Sequence, residues 1–143
     1  MATWQGLNAL SGQTELPKYN PTGAQVAIYT VALTTALANG DTIEGPVIPA
    51  GSYLQDIIVD TDQLDSNATA TIAFESGYTG NLAAFIASGN MTARAGGIAH
   101  ANVAGVVGAT FSSNTQVLVT LTAGAATAKA GTMRICAVYT ASP

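Results

Sequence analysis

A two-residue alternation of apolar and polar side chains, cut at short intervals by turn-forming clusters, constrains this chain more than any other feature. Such a pattern builds strands and leaves little room for long helices. Residues 26–33, Val-Ala-Ile-Tyr-Thr-Val-Ala-Leu, are rich in β-branched and aromatic types and apolar on both faces, which predicts a buried strand. Asn39-Gly40-Asp41 marks a turn. Pro46 and Pro49 lack the N–H that a ladder needs, so the strand around Val47 and Ile48 is expected at an edge or interrupted. Residues 52–60 alternate, Leu54, Asp56, Ile58 and Asp60 against Tyr53, Gln55, Ile57 and Val59. Asp65-Ser66-Asn67 is the next turn, residues 68–75 the next expected strand, and residues 76–81 a loop.

Residues 82–87 read equally as a short strand or one helical turn, an ambiguity inherent to short apolar runs. Weak strands are expected at 98–103 and 106–111 within a Gly- and Ala-rich stretch. Residues 116–122, Gln-Val-Leu-Val-Thr-Leu-Thr, give the strongest strand signal, and residues 132–140 close the chain as a last strand. About eight short strands with frequent turns predict an all-β fold, an antiparallel β-sandwich or barrel.

Residues 1–25 follow no such period. Gly6, Gly12, Pro17, Pro21 and Gly23 punctuate them, and Leu7, Leu10 and Leu16 fall on no sustained face. The division is therefore an extended N-terminal arm, residues 1–25, and a β-sandwich domain, residues 26–143. Disordered tails are poor in aromatics, whereas this arm carries the only tryptophan, Trp4. An arm that docks on a partner or on a neighbouring copy is expected, with Trp4, Leu7, Leu10, Leu16 and Tyr19 as its contact residues.

The 143 residues suit one domain with a single core. Only 8% are charged, against about 25% in an average soluble domain. The four cations, Lys18, Arg94, Lys129 and Arg134, are scattered in a chain of net charge −4, which argues against nucleic acid. Mean hydropathy is +0.33, yet the apolar runs are far shorter than the roughly 18 residues of a membrane span. Met1-Ala2-Thr3-Trp4-Gln5-Gly6 has neither the basic region nor the apolar stretch of a signal peptide. A surface solvated by hydroxyls and backbone rather than by charge desolvates cheaply against another neutral surface. That balance favours a protein that works packed in an assembly.

The inventory for chemistry is thin. One cysteine, Cys136, excludes an intrachain disulfide and any multi-cysteine metal site, and one histidine, His100, excludes a His-pair zinc motif. Cys136 lies mid-strand, where a buried inert thiol is expected. Asp56, Asp60, Asp62 and Asp65 form an acidic cluster. Asp60-Thr61-Asp62 opens like a calcium loop, but Leu64 and Asp65 stand where that loop needs an oxygen ligand and a glycine. A different calcium site and a glycosidase carboxylate pair remain alternatives to an ordinary Asp/Asn turn. Gly77-Tyr78-Thr79-Gly80 and Gly105-Val106-Val107-Gly108 match neither phosphate-binding fingerprint. Tyr19, Tyr29, Tyr53, Tyr78 and Tyr139 would stack on sugar rings in a carbohydrate-binding module, the reading set against core and rim roles. No catalytic residue, metal ligand or cofactor is assigned, and no enzyme is expected.

Val47-Ile48-Pro49-Ala50-Gly51-Ser52, Asp56-Ile57-Ile58-Val59-Asp60-Thr61-Asp62 and Leu64-Asp65-Ser66-Asn67 resemble a pattern of tailed-phage head proteins. Thr71-Ile72-Ala73-Phe74, Phe85-Ile86 and the run from Ala125 to Ile135 extend it. Over residues 26–140 the chain resembles the tailed-bacteriophage capsid decoration, or cement, proteins. The resemblance implies a jelly-roll-like sandwich, trimeric, on the outer surface of the virion, clamping neighbouring major capsid subunits against the pressure of packaged DNA. Its partners would be the major capsid protein and neighbouring copies of itself, with no nucleic acid and no membrane. A phage tail or fibre module and a carbohydrate-binding β-sandwich are the alternatives.

Overall fold

The computed structural model describes residues 23–140. Eight strands run in the order β1 (Ala24–Leu33), β2 (Thr42–Ile48), β3 (Tyr53–Thr61), β4 (Ala73–Tyr78), β5 (Asn81–Asn90), β6 (Gly97–His100), β7 (Thr115–Ala123) and β8 (Gly131–Thr140). A single 3₁₀ turn, Thr92–Arg94, lies between β5 and β6.

The pairings β1·β8, β2·β7, β3·β6 and β4·β5 are those of one long antiparallel hairpin folded at its middle. Rolling that hairpin brings β3 beside β8 and β4 beside β7, giving two four-stranded sheets, β1-β8-β3-β6 and β2-β7-β4-β5. This is the strand order of a jelly roll, an antiparallel sandwich. The inner faces supply the core. Leu54, Ile57 and Val59 of β3 and Met133, Ile135 and Ala137 of β8 meet Val117, Val119 and Leu121 of β7, Phe74 of β4 and Phe85 and Ile86 of β5. Tyr78, Phe85 and Phe111 form a tilted and edge-to-face aromatic group with centroids 5.4 to 6.1 Å apart.

Several expectations are corrected. The strand expected to be buried, β1, is the edge of its sheet, with Val26, Ile28 and Tyr29 exposed. Its apolar character reports its faces, while burial is set by its place in the strand order. The strand expected over residues 68–75 begins only at Ala73. The Asp65 carboxylate takes the N–H groups of Thr71 and Ile72, and the Asn67 side-chain oxygen takes that of Thr69, so these donors go to a turn and not to a ladder. Conversely, the expected loop at Ser76, Gly77 and Tyr78 is strand, because Gly77 lets the backbone of β5 cross directly over it. The ambiguous residues 82–87 belong to β5. The expected strand at 106–111 is a loop that turns at Gly105 and Gly108 (φ +87° and +86°) and buries Val106.

The four sheet edges are treated differently. β2 carries Glu44, Pro46 and a register shift between Glu44 and Val47. β5 is covered where Asn102 and Val103 donate to the Phe85 carbonyl and the Asn102 amide oxygen accepts from Ala87 N–H. β6 is four residues long. Proline, charge, irregular register, brevity and a covering loop are the usual protections against stray strand pairing. Among the described residues β1 has none of them: ten residues in unbroken register with β8, no proline and no charge.

Candidate interaction surface

Strict alternation in β3 and β8 sends Ile57, Val59, Met133, Ile135 and Ala137 inward and the residues between them outward. Across the β1-β8-β3-β6 sheet these outward residues fall in three rows. The first is Val26, Val138 and Asp56, the second Ile28, Cys136, Ile58 and His100, the third Thr30, Arg134, Asp60 and Ile98. The first two rows carry an apolar band from β1 to Ile58, in which Val26 and Ile28 remain 58 and 59% exposed, while Ile98, 60% exposed, ends the third row beside Asp60.

Polar and charged pairs rim this band. His100 Nδ1 lies 2.7 Å from Asp56 Oδ2. Arg134 donates through Nε to Asp60 Oδ2 at 2.8 Å and reaches Asp62 Oδ1 at 3.4 Å. The hydrogen bond to Asp60 and then the neighbouring charges hold the Arg134 guanidinium above its ordinary range, despite some opposing desolvation. Asp62 also accepts from Thr132 N–H at 2.8 Å. The charges thus answer one another within the sheet. A neutral apolar centre with a polar, internally paired rim is the anatomy of a protein–protein interface.

The acidic cluster does not converge. Asp56, Asp60 and Asp62 are engaged on the sheet face, whereas Asp65 is buried in the loop after β3. Its Oδ1 accepts from the N–H groups of Asn67 and Thr127 at 3.1 and 3.0 Å. Its Oδ2 accepts from Thr71, Ile72 and Ala126 at 2.8, 3.2 and 2.8 Å. Burial works to raise its pKa, but the N–H groups of Thr127, Ala126, Thr71 and Asn67 together hold the carboxyl well below the usual carboxylate range. Asp65 therefore acts as a clasp between the β3–β4 and β7–β8 loops, reinforced by Lys129 N–H donating to Leu64 O at 3.0 Å. Among the described residues no three His, Cys, Asp or Glu side chains gather as ion ligands.

Cys136 is a correction to the buried thiol expected from the sequence. Its neighbours Ile135 and Ala137 take the core positions, so Cys136 faces outward and is half-buried in the apolar band. Desolvation first, and the Asp56 charge second, push its thiol pKa up. At pH 7.5, alkylation by a maleimide is expected to be about tenfold slower for the folded protein than for the protein in denaturant, measured by mass spectrometry.

The four described tyrosines do not line up as a platform. Tyr78 packs in the aromatic group and Tyr139 against the core. Tyr29 stands in register with Ile135 and Tyr53 with Thr140, five positions apart on β8 or roughly 17 Å along the strand. The arm residues Trp4, Leu7, Leu10, Leu16 and Tyr19 lie outside the described residues.

No protein-family model matches the chain, and no curated protein does. Solved structures do. A chain of the cyanophage Pam1 capsid asymmetric unit is 27% identical, with 94% of this chain and 98% of that one aligned at a TM-score of 0.73. A chain of the capsid of Ralstonia phage GP4 is 23% identical over 97% of this chain and 94% of that one, at a TM-score of 0.76. A chain of the acid-stable capsid of Helicobacter pylori bacteriophage KHP30 shares the fold, with 13% identity, 81% and 86% coverage and a TM-score of 0.60. The structural neighbours are thus phage capsid chains, and the likeness supports a structural protein of a phage virion.

Proposed function

We propose that this protein decorates the outside of a phage head and cements neighbouring major capsid subunits, stabilising the shell against the pressure of packaged DNA. The observation that carries the reading is the mutual coverage with the Pam1 capsid chain, 94% of one and 98% of the other. The likeness thus runs over nearly the whole of both chains.

Charge favours the outer surface. A component lining the interior would face packaged phosphate, and a chain of net charge −4 with four cations is poorly suited to that. The rimmed apolar face supplies an adhesive surface without any requirement for turnover, so the protein acts by binding and not as an enzyme. Each copy contributes one modest interface, and repetition over a closed shell, as trimers of this chain, multiplies it.

The test is to add purified protein to heads that lack it and image them by cryo-electron microscopy. Density repeated over the outer shell, with higher heat tolerance of the particles, is expected. Density confined to the tail or the interior would overturn the reading in favour of another virion role. The arm is proposed to make part of this contact. Replacing Trp4, Leu7 and Leu10 together by alanine is expected to weaken binding to heads about tenfold or more, measured by co-sedimentation.

A further inference from the structure

Residues 24–30 of β1 are the least covered stretch of strand among the described residues. All but Ala27 are exposed, so Val26 and Ile28 on the outward face and Gln25 and Tyr29 on the other are both open. Val31 and Leu33, further along, pack against the core. From Ala24 to Thr30 the strand thus stands clear of the opposite sheet. Among the described residues, β1 makes no backbone hydrogen bond beyond its ladder with β8. An uncharged edge in regular register is a template for one more strand.

We propose that the occupant is β1 of a second copy of this chain, paired antiparallel across a twofold axis at Ala27. The exposure pattern selects the occupant and the register together, because it is symmetric about Ala27, with three exposed residues on either side. Reversed upon itself about that residue, the strand sets Val26 opposite the partner's Ile28, Gln25 opposite the partner's Tyr29 and Ala24 opposite the partner's Thr30. Directly opposed residues share a face, so the outward faces of the two copies become continuous. A shift of one residue would instead set outward residues beside inward ones.

In this register the row Asp56, Val138, Val26 runs on into the partner's Ile28, the partner's Cys136 and the partner's Ile58. The line between is apolar throughout, and no like charges meet at the joint, because β1 carries none. Three large apolar side chains of each copy, Val26, Ile28 and Tyr29, lose exposure. Seven residue pairs span roughly 23 Å, a small contact of the kind that gains from repetition over an assembly. The inference goes beyond the capsid reading and the trimer, and stands or falls without them.

Two measurements on the full chain test it. In a Cys136→Ser background, Ala27→Cys lies on the axis, where facing Cα atoms are roughly 4.5–5.5 Å apart and within disulfide reach. Mild oxidation is expected to give a covalent dimer on a non-reducing denaturing gel. On the same strand, Thr30→Cys would lie roughly 20 Å from position 30 of the partner and is expected to stay uncross-linked. No link at Ala27, or equal linking at Thr30, overturns the proposal. Val26→Lys places an ammonium from each copy in the joint and is expected to halve the mass found by light scattering, with the circular dichroism spectrum unchanged. An unchanged mass overturns the proposal and leaves the edge to the chain's own first residues or to a capsid subunit.

Discussion

Replacing Gly77 by alanine is expected to cost about 4 kcal/mol or more and to leave little folded protein. A Cβ at Gly77 would stand 2.1 Å from the Asn81 carbonyl oxygen, 2.6 Å from the Leu82 carbonyl carbon and 2.7 Å from the Ala84 nitrogen. All three are backbone atoms of β5, so relief requires β5 to leave β4 and uncover Phe85 and Ile86. Gly80, three residues on, separates two different uses of glycine. A Cβ there meets nothing within 4 Å, but its φ is +106°, so Gly80→Ala carries only backbone strain of about 1 kcal/mol. Thermal melts followed by circular dichroism rank the two. Equal losses would mean that the β4–β5 crossing is looser than described.

Asp65→Asn is expected to lower the Tm by about 10 °C at pH 7. The amide keeps one acceptor oxygen for five N–H donors, and its own NH₂ is turned against N–H groups that the carboxylate now satisfies. The loss has a pH signature. The folded carboxyl titrates well below its value in the unfolded chain, so its contribution is complete above the unfolded pKa and declines as pH falls through the acid range. Tm curves of the parent and Asp65→Asn proteins should therefore converge between about pH 5 and pH 2. A gap that persists unchanged at pH 2 would assign the effect to packing and not to charge.

Both residues show where the sequence was legible. Strands β3, β7 and β8 were evident because their alternation matches their surroundings, one face on the core and the other outward. Pro46 announced an edge, and β2 is one. Asp65 reads as an ordinary turn former, since nothing local reveals that two of its five donors come from Ala126 and Thr127, some sixty residues later. Gly77 looked like part of a Gly-rich loop because its reason is a crossing strand and not a turn. The outward apolar band was hidden for the same cause. Val26, Ile28, Cys136 and Ile58 are ordinary strand residues one by one, and only the order β1-β8-β3-β6 gathers them on one face.

The rolled hairpin also governs how the protein must be made. Its outermost pairing joins Ala24 to Thr140, so β1, the first of the described strands to leave the ribosome, waits for the last of them before its sheet can close. Until then the edge of β1 that pairs with β8 stays open to any partner within reach. Rapid capture of β8 is thus the step at which newly synthesised copies either complete themselves or become entangled with one another.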